Sequence, residues 1–151
     1  MTFQEFMELL FESASLTNAA LERVLDPLCQ EHQLTMQQAH ILLECRARPG
    51  QSAGQLSDKV GLLRTNFAPV CRKLEARGLI RKQSSMSDRR SYRLFLTEEG
   101  EALVDAIWAD ANHRFSAKFR AVSSNSEMML RTGYQTYRAV LEKMFALGNR
   151  R

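Results

Sequence analysis

The chain has 151 residues, 44% of them hydrophobic, which suits one domain of common size with a core of its own. Its three cysteines, Cys29, Cys45 and Cys71, are odd in number and widely spaced, which argues against a disulfide framework or a zinc knuckle and predicts a reduced, cytoplasmic setting. No apolar run approaches the ~20 residues that cross a bilayer, and MTFQEFMELLFE carries acids where an export signal needs Lys or Arg. The formal charge of +4 is unevenly placed. Residues 64–93 hold nine Lys or Arg against Glu75 and Asp88, a local +7 that leaves −3 on the rest. A concentrated basic face on an acidic body is the pattern expected of a protein that meets a polyanion such as double-stranded DNA.

In chain order, Phe3, Phe6, Met7, Leu10, Ala14, Thr17, Leu21, Val24, Leu25 and Leu28 recur at intervals of three and four, the stripe of a long amphipathic helix that bends or ends near Pro27. A second helix is predicted over 35–48, opened by the capping-box spacing of Thr35 and Gln38 and closed by Arg48, Pro49 and Gly50. Ser52 and Gln55 form another such box before a two-turn helix that Gly61 stops. The third helix of this group buries Phe67, Val70, Cys71 and Leu74 and ends at Gly78. Pro69 lacks an N–H and belongs in a first turn, so this helix is expected to start near Thr65 or Asn66.

Residues 79–84 and 91–97 alternate, with Tyr92, Leu94 and Leu96 on one face and Arg93 and Phe95 on the other. They predict a two-stranded hairpin with its tip at Ser85 to Arg90. Thr97, Glu98, Glu99 and Gly100 open a long helix to about Ala121, and Ser124 with Glu127 opens a last one to about Leu147. The fold class is therefore mainly α, an α+β winged helix: a winged helix-turn-helix lobe at 34–100, a dimerisation helix at 1–33 and further dimerisation helices at 101–151. Two amphipathic helices far apart in the chain carry more apolar surface than one small lobe can cover, and a homodimer buries the surplus.

The third helix of such a lobe fits the ~12 Å major groove, while a hairpin carrying Arg reaches the adjacent minor groove. Arg64, Thr65, Asn66, Arg72 and Lys73 are the candidates for base or phosphate contacts from the helix, Asn66 being suited to adenine and Arg to guanine. On the wing, Arg90 would enter the minor groove with Asp88 bracing its guanidinium, and Arg89 and Arg93 would neutralise phosphates.

The tip Asp88-x-Arg90, followed by Leu94, Leu96, Thr97 and Gly100 and preceded by LEARGLIRK, resembles the MarR family of winged-helix transcriptional regulators. The likeness in element order and spacing runs from about Leu34 to Val104. It implies a homodimer whose first and last helices interlock and whose two lobes read half-sites of a pseudo-palindromic operator. It also implies a repressor released by a small aromatic acid, a phenol or an oxidant. Its ligand cleft would lie between the dimerisation helices and the lobe, with His40, Arg46, Trp108 and Phe115 as linings. Pro69 departs from the polar or basic residue common in relatives, so no base contact is assigned to it.

Two alternatives share the fold: a winged-helix module that binds another protein, and a cysteine-based redox sensor, for which Cys29 is best placed. His32, His40 and His113 have no ligand spacing, and no phosphate loop, nucleophile elbow or paired-carboxylate signature occurs. Neither an enzyme, nor a metal, nor a cofactor is expected.

Overall fold

A computed structural model describes residues 1–84, 92–123 and 126–145, which divide into two compact units, 1–111 and 112–151. The element order is α1 (Phe3–Glu31), α2 (Met36–Ala47), β1 (Gln51–Ser52), α3 (Ala53–Val60), α4 (Arg64–Ala76), β2 (Ile80–Ser84), β3 (Tyr92–Leu96), α5 (Glu98–Ser123) and α6 (Glu127–Phe145). Among the described residues no helix is long and apolar enough to cross a membrane.

The predicted helix starts are set by side-chain caps. Thr35 accepts from the Gln38 N–H while Gln38 returns a bond to the Thr35 N–H, and Ser52 and Gln55 do the same for α3. Each box satisfies two of the N–H groups that a helix start leaves without partners. Thr2 and Glu5 form a third at the start of α1 that the apolar stripe did not point to. Gly61 and Gly78, both at φ +68°, turn the chain out of α3 and α4 in the left-handed conformation that glycine adopts without strain.

Three expectations need correction. The wing has three strands, because β1 pairs antiparallel with β3 through Gln51 opposite Leu94 and Ser52 opposite Arg93, giving the order β1-β3-β2. A two-residue strand shows no alternation, which is why it left no mark in the sequence. Helix α4 begins at Arg64, one residue before the expected start, so Pro69 is its sixth residue and cannot return the usual bond to the Thr65 carbonyl. Both residues are exposed, so water can take that place. α5 runs to Ser123, two residues past the expected end. Ser124, proposed as a cap, and the end of the last helix at Leu147 lie outside the described residues.

The core of the first unit forms where α1, α2, α3, α4, α5 and the sheet converge. Leu28, Ile41, Leu42, Leu56, Leu74, Leu94 and Val104 are the large side chains fully buried in it. Pro27 does not end α1, which continues for one further turn and supplies Leu28 and Cys29 to this core.

At the far side of the wing, Thr97 accepts from the Gly100 N–H, donates its hydroxyl to the Gly78 carbonyl and donates its own N–H to the Leu79 carbonyl at 3.2 Å. A Cβ on Gly100 would run into that same Leu79 oxygen. The Thr97 and Gly100 pair is thus a joint that seats the start of α5 on the start of β2.

In the second unit, the Ser123 hydroxyl donates to the Phe119 carbonyl at 2.7 Å within the last turn of α5. α6 follows, with Arg138 and Glu142 paired at 2.7 Å one turn apart. Val122, Met128, Met129, Leu130 and Tyr134 of this unit are exposed, as are Phe3, Phe11 and Leu16 on α1 of the first.

Candidate nucleic-acid interface and effector pocket

Helix α4 buries Phe67, Cys71 and Leu74, and the 3.6-residue period then turns Arg64, Thr65, Asn66, Arg72 and Lys73 to the surface. All five sequence-predicted contact residues of the helix are exposed. Arg64 lies close over the start of α3: a Cβ on Gly54 would stand 3.1 Å from its Nη2. Its side chain lines a cleft of about 430 Å³ that Ser52, Gly54 and Tyr92 also line, so the basic helix and the central wing strand share one surface.

The other basic residues of this region have local partners. Arg93 donates through Nη1 to the Gly50 carbonyl at 2.8 Å, holding the turn that enters β1. Arg81 covers the Phe95 ring at 4.7 Å, and Lys82 lies over Tyr92 at 5.1 Å while pairing with Glu75 at 2.6 Å. The hydrogen bond to Glu75 raises the Lys82 pKa, keeping the ammonium charged. Arg77, just past α4, reaches back to the α1–α2 turn, donating to the Gln33 carbonyl at 2.6 Å and the His32 carbonyl at 3.4 Å. Periodicity gave no sign of this tie, because it joins segments more than forty residues apart. Asp88, Arg89 and Arg90 lie outside the described residues.

Of the four residues expected to line a ligand cleft, the first unit brings two together. His40 and Trp108 line a pocket of about 310 Å³ whose walls come from α1, α2, α5 and the end of α3, including Leu21, Leu25, Cys29, Met36, Gln37, Leu43, Val60 and Ile107. Arg46 does not line it. Its guanidinium points to α5, 2.6 Å from Asp105 and 3.6 Å from Glu101. Phe115 belongs to the second unit. The apolar linings were visible as helical stripes, but a stripe does not distinguish a filled core from a hollow one.

The cysteines are all free and buried. Burial pushes the Cys45 thiol to about 12 and the Cys71 thiol to about 11. Cys29 is also raised, first by burial and then by the neighbouring Asp26, and its thiol contacts the Met36 sulfur at 3.6 Å. A reactive thiol needs exposure and a lowered pKa, and these three have neither. His32 is bound to Asp110 at 2.9 Å, and no group of three or more His, Cys, Asp or Glu that could hold a metal occurs among the described residues.

Comparison with known proteins places this geometry. Residues 34–92 match the MarR family. A solved MarR family transcription regulator is 25% identical over 95% of this chain and 94% of its own, with a TM-score of 0.66. The transcriptional repressor CouR, solved bound to a 23-mer DNA duplex, is 29% identical over 95% of this chain and 97% of its own, with a TM-score of 0.63. Staphylococcus aureus MarR, solved in complex with salicylate and kanamycin, has the same fold at 17% identity, with 95% of each chain covered and a TM-score of 0.74. The match over residues 34–92, together with the likeness to solved MarR family regulators over nearly their whole length, makes this chain similar to the MarR family of winged helix-turn-helix transcription regulators.

Proposed function

We propose that the chain is a cytoplasmic, ligand-responsive repressor that binds a pseudo-palindromic operator as a homodimer and acts by binding, not by catalysis. The observation that carries this is the exposed face of α4, where Arg64, Thr65, Asn66, Arg72 and Lys73 stand clear of the core. Backbone phosphates give such a surface its affinity and base edges give it its specificity. In this scheme residues 34–100 are the DNA-binding lobe, with 1–33 and 101–151 forming the dimer. The exposed Phe3, Phe11 and Leu16 of α1 and Met128, Met129 and Leu130 of α6 support that division, since an isologous interface would cover them. Arg90 enters the minor groove, Asp88 orients it, and Arg89 and Arg93 meet phosphates. CouR, bound to a duplex, supports the DNA-binding part, and Staphylococcus aureus MarR, bound to salicylate, supports an effector site at the pocket that His40 and Trp108 line.

The test is selection of bound duplexes from a random pool by the purified protein, repeated with Arg90→Ala. An inverted repeat with half-sites about one helical turn apart is expected. Arg90→Ala should weaken binding to it by roughly 1–3 kcal/mol while leaving the dimer intact. If six to ten phosphates are neutralised, affinity should fall roughly 10³- to 10⁵-fold between about 50 and 200 mM salt. No enrichment from a folded dimer at low salt would refute the proposal.

A further inference from the structure

The turn between α1 and α2 is held from two sides. Arg77, the C-cap of α4, donates to the Gln33 carbonyl at 2.6 Å and to the His32 carbonyl at 3.4 Å. The partly buried His32 ring has its Nε2 2.9 Å from Asp110 Oδ2 on α5. Between these two ties Gln33 sits at φ +57°, a left-handed conformation that no other non-glycine residue adopts among the described residues and that persists only where its surroundings hold it. The stretch that follows α4 is tied to α5 a second time, through Thr97 and the Gly78 and Leu79 carbonyls. Thr97 and Asp110 are roughly 20 Å apart along α5. The end of α4 is therefore fixed to α5 at two separated points, which sets an orientation where one point would leave a hinge.

We propose that Arg77 is a positioning residue for α4: together with His32 and Asp110 it sets the angle at which the DNA-reading helix is presented, and it makes no phosphate contact of its own. This rests on the operator-binding reading above and names residues that serve it from outside the interface. Arg77 belongs by sequence to the basic run of residues 64–93, so a phosphate contact is the simpler assignment. Its geometry points elsewhere. Both Nη groups are engaged by backbone carbonyls, and Arg77 follows a 13-residue helix whose other end, about 20 Å away, carries Arg64, Thr65 and Asn66. Contacts to base edges tolerate little misplacement, because a hydrogen bond weakens steeply outside its range of distance and angle. A dimer must meet that tolerance with two such helices on successive half-sites at once.

The probe is the labelled duplex that the unmodified protein selects from a random pool, and its fluorescence anisotropy is followed at several salt concentrations between about 50 and 200 mM. The full chain is compared with Arg77→Ala, Arg77→Lys, Asp110→Ala and the double variant Arg77→Ala with Asp110→Ala, each assayed well below its own unfolding temperature. Arg77→Ala should bind roughly tenfold more weakly with the salt slope unchanged, and Arg77→Lys should recover little, because an ammonium keeps the charge but cannot span two carbonyls. Asp110→Ala separates the two readings by sign. Removing an acid from a DNA-binding protein tightens binding by electrostatics alone, whereas loss of the joint should weaken it roughly 3- to 10-fold. In the double variant the two losses should not add, since both break the same tie. A phosphate contact would instead lower the salt slope by about 0.9 in Arg77→Ala and be restored by lysine. That result, or unchanged or tighter binding by Asp110→Ala, overturns the assignment. If the unmodified protein selects no duplex, the operator reading itself fails and the assignment falls with it.

Discussion

Replacing Gly100 with alanine tests the joint between α5 and β2. Within a helix the change ordinarily stabilises by about 1 kcal/mol, because alanine loses less backbone freedom. Here the added Cβ would strike the Leu79 carbonyl oxygen and come within 3.2 Å of Leu96 Cδ2. The obstacle on one side is backbone, so the first turn of α5 would have to withdraw by on the order of 1 Å to restore van der Waals separation. Withdrawal pulls Thr97 from the Gly78 and Leu79 carbonyls, two hydrogen bonds worth about 1 kcal/mol each. Residual overpacking around Leu79 and Leu96 adds about 1–3 kcal/mol. After subtracting the propensity gain, Gly100→Ala should destabilise the protein by about 2–4 kcal/mol, a Tm decrease on the order of 10 °C for a chain of this size. Thermal and urea unfolding, both at one fixed protein concentration, measure it. An unchanged or higher Tm would mean that propensity outweighs the clash and that the joint is looser than described.

Three other perturbations have definite expected outcomes. The raised thiols of Cys45 and Cys71 keep the folded state protonated where the unfolded chain has begun to ionise at the ordinary 9.0, so their contribution to stability is complete below 9.0 and is lost as pH climbs toward about 11 and 12. Urea unfolding at increasing alkaline pH should show the decline, and Cys45→Ala should make it shallower; identical slopes would refute the assignment. Arg46→Ala removes the contacts to Glu101 and Asp105, but both acids and the guanidinium are well exposed, so the loss in urea unfolding should stay below about 1 kcal/mol, and a larger loss would refute the exposed-pair reading. Arg77→Ala should cost about 1–2 kcal/mol in urea unfolding through the lost bonds to the Gln33 and His32 carbonyls, and Arg77→Lys should recover only part of that because an ammonium cannot span both oxygens. A full recovery by lysine would show that charge alone matters there.

The extent to which the sequence disclosed this molecule follows from how local each determinant is. Thr35 with Gln38 and Ser52 with Gln55 sit three residues apart, and both boxes form where their spacing predicts. Gly61 and Gly78 end their helices for an equally local reason, the sterics of a left-handed residue. The exposed face of α4 followed from the burial of Phe67, Cys71 and Leu74 on its opposite side. Determinants that join distant segments were not legible. β1 exists because β3 offers it backbone partners, and Arg46 is drawn from the pocket by acids more than fifty residues later in the chain. Pro69 misled because its isolated preference for a first turn is real but was outweighed: α4 begins earlier, and the carbonyl left over faces solvent. The pocket itself depends on a gap between stripes, a quantity that no single helix encodes.

The strand order β1-β3-β2 leaves the outer edge of β2 without a partner strand among the described residues. An open edge is a template for a strand of another molecule. β2 is only five residues long, and past the buried Ile80 it reads Arg81, Lys82, Gln83 and Ser84, all exposed. Two such edges brought together would set cation against cation. Positive charge along this edge thus guards it against its own kind, so neutralising Arg81 and Lys82 would expose a surface prone to aggregation.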